Sequence, residues 1–183
     1  MEHLCRQHDM EMVDVEQISL HGGSMVLHMR RKGVGGKPSN RLTQLLERER
    51  HSRMSDPARL MRFAADVQDW KTRFEGLIGD LQAGGASLIG YGAAAKANTL
   101  LNLCPSAARS LSYILDRSSH KHGLYTPGTH IRVENVGHWQ NGRTPTHMVV
   151  LAWNFKDEIM AQMKPFADAG GRFVIPIPEP RVV

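Results

Sequence analysis

The spacing of apolar residues changes rhythm twice along the chain, from alternation to a helical stripe and then to short apolar blocks separated by helices. Val13 and Val15 share one face of MEMVDVEQISL (residues 10–20), and Met25, Leu27 and Met29 alternate in SMVLHMRR (24–31). The two segments read as arms of a hairpin turned by HGG at 21–23. Residues 1–9 read as the end of a helix. A two-stranded hairpin is marginal alone, so this piece is expected to be the edge of something larger. Gly33, Gly35, Gly36 and Pro38 break the alternation.

Helical spacing follows. SNRLTQLLERER (39–50) places Leu42, Leu45 and Leu46 on one side, and Asp56 with Pro57 makes an N-cap and first-turn pair for a longer helix. Leu60, Ala64, Val67, Phe74, Leu77, Ile78 and Leu81 form its stripe until Gly84 and Gly85 stop it, with Trp70 as a packing residue beside the stripe.

From residue 86 the order is strand SLIGY, helix AAAKANTLLNL, strand LSYIL, a long loop, strand HMVVLAW, helix KDEIMAQMKPFADA and strand RFVIPI, with a further short strand in HIRVENV (130–136). Apolar blocks alternating with helices predict a parallel sheet covered on both faces, and Pro165 is expected to kink or shorten the last helix. The fold class is therefore α/β. It has a Rossmann-like C-terminal part over 86–183, a basic connector with an amphipathic helix over 34–85, and an N-terminal hairpin over 1–33.

The junction SLIGYGAAAKANTLL (87–101) carries the strongest local signal. Gly90, Gly92 and Ala95 satisfy the G-x-G-x-x-A spacing, in which a tight corner lets an anion meet the first-turn N–H groups of a helix. The next strand ends in Asp116, about where an acid meets a ribose hydroxyl. Lys96 in the first helical turn opposes the helix dipole, a placement eased by a phosphate nearby. A ligand-free βα corner packs with the same residues, so both readings stay open on pattern alone.

Composition narrows the partners. Hydrophobic residues make up 41% of the chain and charged ones 22%, as in an ordinary soluble protein. No apolar run reaches the roughly 20 residues that cross a bilayer, and the N-terminus lacks a secretory apolar region, so a cytoplasmic protein without membrane attachment is expected. Cys5 and Cys104 form no C-x-x-C pair. Residues 30–53 hold eight Lys or Arg against two Glu; set against the formal total of +5, this leaves the rest of the chain at −1. Basicity confined to a connector gives no groove for nucleic acid.

Ligands of open α/β sheets sit beyond the carboxyl ends of the strands. The candidates there are Tyr91, Lys96 and Asn98, then Asp116, Arg117 and the loop SSHKHGLYTPGTH with Lys121 and His130, then Trp153 and Asn154. His21, in a glycine-lined turn, joins them. No metal is expected, because His120 and His122 have no third ligand placed by sequence. No nucleophile elbow, zinc-protease helix or P-loop is present, and the residues favour binding over bond making.

HGGS at 21–24, GYGAAAKANTLLN at 90–102, DRSSHKHGLYTPGTHI at 116–131, LAWNFKDEI at 151–159 and GGRFVIPIPEPRV at 170–182 closely resemble the C-terminal part of the sugar C-methyltransferase family. The resemblance implies an enzyme with a zinc-binding module, an S-adenosylmethionine domain and a C-terminal domain that helps hold a nucleotide-linked keto-sugar. In that frame residues 1–33 are the last helix and hairpin of the methyl-transfer domain. The zinc cysteines, the cofactor's glycine loop and the family's Tyr and His-Glu-His region have no counterpart in the chain, so neither the zinc nor the S-adenosylmethionine site is expected in it. Ala97 stands where the family usually has glycine. The resemblance thus implies a nucleotide-sugar half-site, inactive alone, with a complementing methyltransferase domain as partner. The competing expectations are an NAD-binding oxidoreductase domain using Gly90, Gly92, Ala95 and Asp116, and an interaction module whose hairpin completes another chain's sheet.

Overall fold

The computed structural model describes residues 1–142 and 144–183, and of His21 the main chain alone; the role expected of the His21 side chain lies outside the described residues. The chain divides into two compact units, Met1–Ala64 and Ala65–Val183.

The first unit opens with helix α1 (Glu2–Gln7), followed by strands β1 (Met10–Ile18) and β2 (Ser24–Arg31), helix α2 (Asn40–His51) and the beginning of helix α3 (Pro57–Ala83). The strands pair antiparallel, Val15 opposite Leu27 and Glu16 opposite Val26, with an irregularity between Met12 and Asp14. The hairpin read from the sequence is present, but the expected alternation does not carry through it: Val15 is buried, whereas Met25 and Met29 are exposed on a two-stranded sheet that covers little of either face. Gly23 (φ +123°) closes the turn in a conformation other residues avoid. Val15, Leu42 and Cys5 are buried. Ser39 caps α2, its hydroxyl accepting the Leu42 N–H and donating to Asp14. The same Asp14 carboxylate accepts from the Arg41 guanidinium, and the hydrogen bonds from Arg41 and Ser39 hold it well below the usual carboxylate range.

The second unit takes the rest of α3 and continues through β3 (Leu88–Tyr91), α4 (Ala95–Leu103), α5 (Pro105–Arg109), β4 (Leu111–Leu115), β5 (Val133–Glu134), β6 (His147–Val150), α6 (Lys156–Gln162), α7 (Lys164–Asp168), β7 (Arg172–Ile175) and β8 (Arg181–Val182). Its sheet has the order β5-β4-β3-β6-β7-β8, parallel throughout except for β8. Two buried clusters cover it. Leu88, Ile114, Val149 and Val174 join Phe74 and Ile78 of α3 and Leu100 and Leu101 of α4. Ile89, Met148, Val150 and Ile175 join Trp139, Ile159 of α6 and Phe166 of α7. Neighbouring strand residues thus point to opposite clusters, which is why the blocks read as continuously apolar.

Trp70 packs as expected, stacked on Phe74 at 5.3 Å with its indole N–H donating to the Pro176 carbonyl at 2.8 Å. Pro165 ends the last helical run as expected: α6 stops at Gln162 and α7 restarts at Lys164. Phe166 fills the space beside Gly171 and meets Trp139 and Phe173 edge-on at 5.5 and 5.6 Å. Among the described residues no helix is long and apolar enough to cross a membrane.

Candidate functional site

Strand β3 lies inside the second unit's sheet between β4 and β6, and the chain leaves β3 and β6 toward opposite faces. After β3 the chain enters α4, which belongs to the α3 cluster, while after β6 it enters α6, which belongs to the opposite cluster. The strands stay paired to their ends, Leu151 N–H donating to the Tyr91 carbonyl at 2.9 Å, and only the helices that follow diverge to opposite faces, leaving a crevice beyond Tyr91 and Gly92.

The two glycines there have different reasons to exist. Gly92 has φ +95°, donates its N–H to the Leu115 carbonyl at 2.7 Å, and would press a Cβ to 2.7 Å from that of Ala152. Gly90 has an ordinary backbone and faces the core, where a Cβ would lie 2.8 Å from Leu151 Cδ1 and 2.9 Å from Ile114 Cγ1. Gly92 is demanded by the turn; Gly90 is demanded by packing alone.

Asp116, at the end of β4, is buried. Its Oδ2 accepts the Ala93 N–H at 2.8 Å and the Lys121 ammonium at 3.0 Å, and its Oδ1 accepts the Ser118 N–H at 2.8 Å. Lys121 also donates to the Ala93 carbonyl at 2.9 Å, and His122 Nε2 bonds the Asp116 carbonyl oxygen at 2.8 Å. The first amide after Gly92, which the sequence offered to an incoming anion, already holds a carboxylate.

A cavity of about 320 Å³ opens on the α6 side of the same strand ends. Its buried lining is Tyr91, Gly92 and Ile159 with Asp116, and its more open lining is Ala152, Arg117, Phe155, Glu158 and Gln162. The Tyr91 hydroxyl donates to Gln162 Oε1 at 2.8 Å, and burial pushes the phenol above its ordinary pKa, so it stays a neutral donor. Arg117 pairs with Glu158 at 2.9 Å at the exposed edge. The arrangement offers an apolar wall and a few fixed polar groups, suited to holding a small molecule. No nucleophile with an adjacent base accompanies it.

Of the residues expected from sequence, Tyr91, Gly92, Asp116 and Arg117 meet in this cavity, and Lys121 is joined to it through Asp116. Lys96 and Trp153 meet each other, the ammonium 5.3 Å from the ring centre. Asn154 lies in the turn that Trp153 begins. Asn98 sits on α4 with a buried, unpaired Oδ1, Gly90 is in the core, and His130, at φ +52° on an exposed loop, is not part of the cavity lining. Sequence reasoning missed Phe155, Glu158, Ile159 and Gln162. Their spacing of i, i+3, i+4 and i+7 immediately after a strand is a signal that the face toward the crevice would be helical. Among the described residues no group of three or more His, Cys, Asp or Glu could hold a metal ion, so the zinc that the resemblance attaches to other members gains no support in this chain.

The model of the C-methyltransferase C-terminal domain family matches residues 19–178. The chain is also 29% identical over 180 residues to the C-methyltransferase NovU of Streptomyces niveus, covering 98% of this chain and 43% of that protein. It spans less than half the length of that curated relative.

Proposed function

Because this chain belongs to the C-methyltransferase C-terminal domain family, we propose that it supplies the half-site for a nucleotide-linked keto-sugar in a sugar C-methyltransferase, with the methyl donor presented by a separate methyltransferase domain. The observation that supports this most is the cavity beyond the carboxyl ends of β3 and β6, where Tyr91, Gly92, Asp116 and Arg117 converge. A ring resting on Tyr91 and Ile159 would bury about 100 Å² of apolar surface, contributing about 2.5 kcal/mol. One charge-assisted bond to Arg117 at the exposed edge adds about 1.5–3 kcal/mol. These terms sum to about 4–5.5 kcal/mol before any cost of immobilisation, so such a half-site alone binds at about a millimolar or more weakly.

S-adenosylmethionine fits the described residues poorly. A nucleoside cofactor wants a carboxylate free to accept its ribose hydroxyls, and Asp116 is already engaged by three donors. No step through that cofactor is therefore assigned to these residues.

Isothermal titration with thymidine diphosphate and its sugar conjugates, at millimolar ligand, is the test. Saturable heat supports the half-site. Silence both alone and with a complementing methyltransferase domain added contradicts it.

A second reading concerns the first unit. Its sheet has only two strands, and Met25, Val26 and Met29 of β2 are exposed. The complementing methyltransferase domain is the partner whose sheet would extend along β2. Light scattering of the mixture should give the summed mass; two unchanged species would reject the pairing.

A further inference from the structure

The Asp116 carboxylate is held the way a bound anion is held. Two main-chain N–H groups and one ammonium converge on it: Ala93 and Lys121 on Oδ2, Ser118 on Oδ1. That uses three of roughly four acceptor positions of a carboxylate. Lys121 closes the arrangement from the other side by donating to the Ala93 carbonyl at 2.9 Å, so the residue after Gly92 is bonded at both its N–H and its C=O. In a dinucleotide-binding corner, the amides after the second glycine meet pyrophosphate and the acid at the end of the next strand meets ribose. Here the acid has turned back onto the amide, and one contact removes both functions.

We propose that Asp116 is a specificity-determining residue: its carboxylate is the resident anion of the glycine corner, clasped by Lys121, and it keeps phosphate off the Ala93 amide. The inference deepens the half-site reading, from which it takes only that this crest faces ligand. A phosphate approaching Ala93 N–H meets a like charge in van der Waals range with little water between them, since Asp116 is 7% exposed. Lys121 compensates the carboxylate, so the corner is near neutral and has no net pull on an anion. The position left to a phosphorylated ligand is the exposed edge of the cavity, where Arg117 can exchange its surface pair with Glu158 for the ligand. NAD-type dinucleotides, which need both the amide and the acid, are refused.

Removing the resident anion should create a vacancy of its own shape. In Asp116→Ala, Ala93 N–H, Ser118 N–H and the Lys121 ammonium remain, and acetate should enter in place of the lost carboxylate. Acetate should raise the thermal midpoint of this variant above that in chloride of equal ionic strength and move the Ala93 amide resonance. Its apparent affinity should exceed that for the parent chain by about tenfold or more, as charge-assisted bonds imply. The parent chain should show no Ala93 shift with acetate or inorganic phosphate. Equal acetate responses in variant and parent would overturn the proposal, because the resident carboxylate would then not be what keeps other anions off the Ala93 amide.

Should Asp116→Ala not fold, Lys121→Met decides, since it keeps the carboxylate and removes only the clasp. Inorganic phosphate should still leave the Ala93 amide unmoved in that variant, and a phosphate-dependent shift there, or in the parent chain, defeats the proposal. These readouts use no nucleotide. A failure of the half-site reading, seen as silence toward thymidine diphosphate, is therefore distinguishable from a failure of this one.

Discussion

Gly92→Ala attacks the crevice at the one point where backbone and packing both forbid a side chain. The residue sits at φ +95°, where a Cβ costs about 1–2 kcal/mol, and that Cβ would lie 2.7 Å from the Ala152 Cβ and 3.2 Å from its main-chain nitrogen. Neither neighbour is the end of a flexible side chain, so β3 and the residue after β6 must separate, an overpacking cost of about 1–3 kcal/mol. The expected loss is about 2–5 kcal/mol. Trp70, Trp139 and Trp153 all belong to the second unit, so tryptophan fluorescence during urea unfolding follows that unit alone. With a slope of about 1.5 kcal/mol per molar, the midpoint should fall by about 1.3–3.3 M. Gly90→Ala provides the contrast. Its new methyl meets side chains alone, Leu151 Cδ1 at 2.8 Å, Ile114 Cγ1 at 2.9 Å and Leu111 Cδ1 at 3.4 Å, at an unstrained backbone, so only the overpacking cost of about 1–3 kcal/mol applies. A Gly92→Ala midpoint within about 0.3 M of the parent would refute the reasoning that the crest is held by this approach.

Other consequences follow from the same contacts. Trp70→Phe keeps the stack on Phe74 but leaves the Pro176 carbonyl without its donor, and should cost about 1–2 kcal/mol in the same urea assay. Burial pushes the Cys104 thiol up to about 11 from 9.0, so stability tied to it is fully present below about pH 9 and is lost as pH rises toward about 11. Correspondingly, iodoacetamide at neutral pH should modify Cys104 only after unfolding, as mass spectrometry of the folded and denatured chain will show. Asp14 behaves oppositely. Its carboxyl is lowered by Arg41 and Ser39, so its contribution is present above the ordinary carboxylate pKa of about 4 and is lost as pH falls below it. Asp14→Asn should flatten the acid limb of the first unit's stability, followed by circular dichroism of its hairpin and helices.

Much of the architecture was legible because periodicity states burial directly. The hairpin of β1 and β2, the start of α3 at Asp56 and Pro57, its stop at Gly84 and the break beside Pro165 follow from single residues whose backbone preferences admit few alternatives. Short elements were not legible. Helix α5 and strand β8 are too brief for periodicity to register, and β8 exists only because Val174 and Ile175 offer it an edge. At the site, Tyr91, Gly92, Asp116 and Arg117 could be placed from strand ends alone. The direction of the Asp116 side chain could not, since a motif gives the position of an acid and not which donors it has already taken. Phe155, Glu158 and Gln162 escaped notice because each reads as an ordinary surface residue until β6 and α6 are set beside β3.

The most direct measurement is a map of backbone amide shifts while a thymidine diphosphate sugar is titrated into the full chain. The account predicts saturable shifts at Tyr91, Gly92, Arg117 and along Phe155–Gln162, with Ala93 unmoved because its amide is held by Asp116. Shifts confined to the first unit, or a shift led by Ala93 with none along α6, would contradict it.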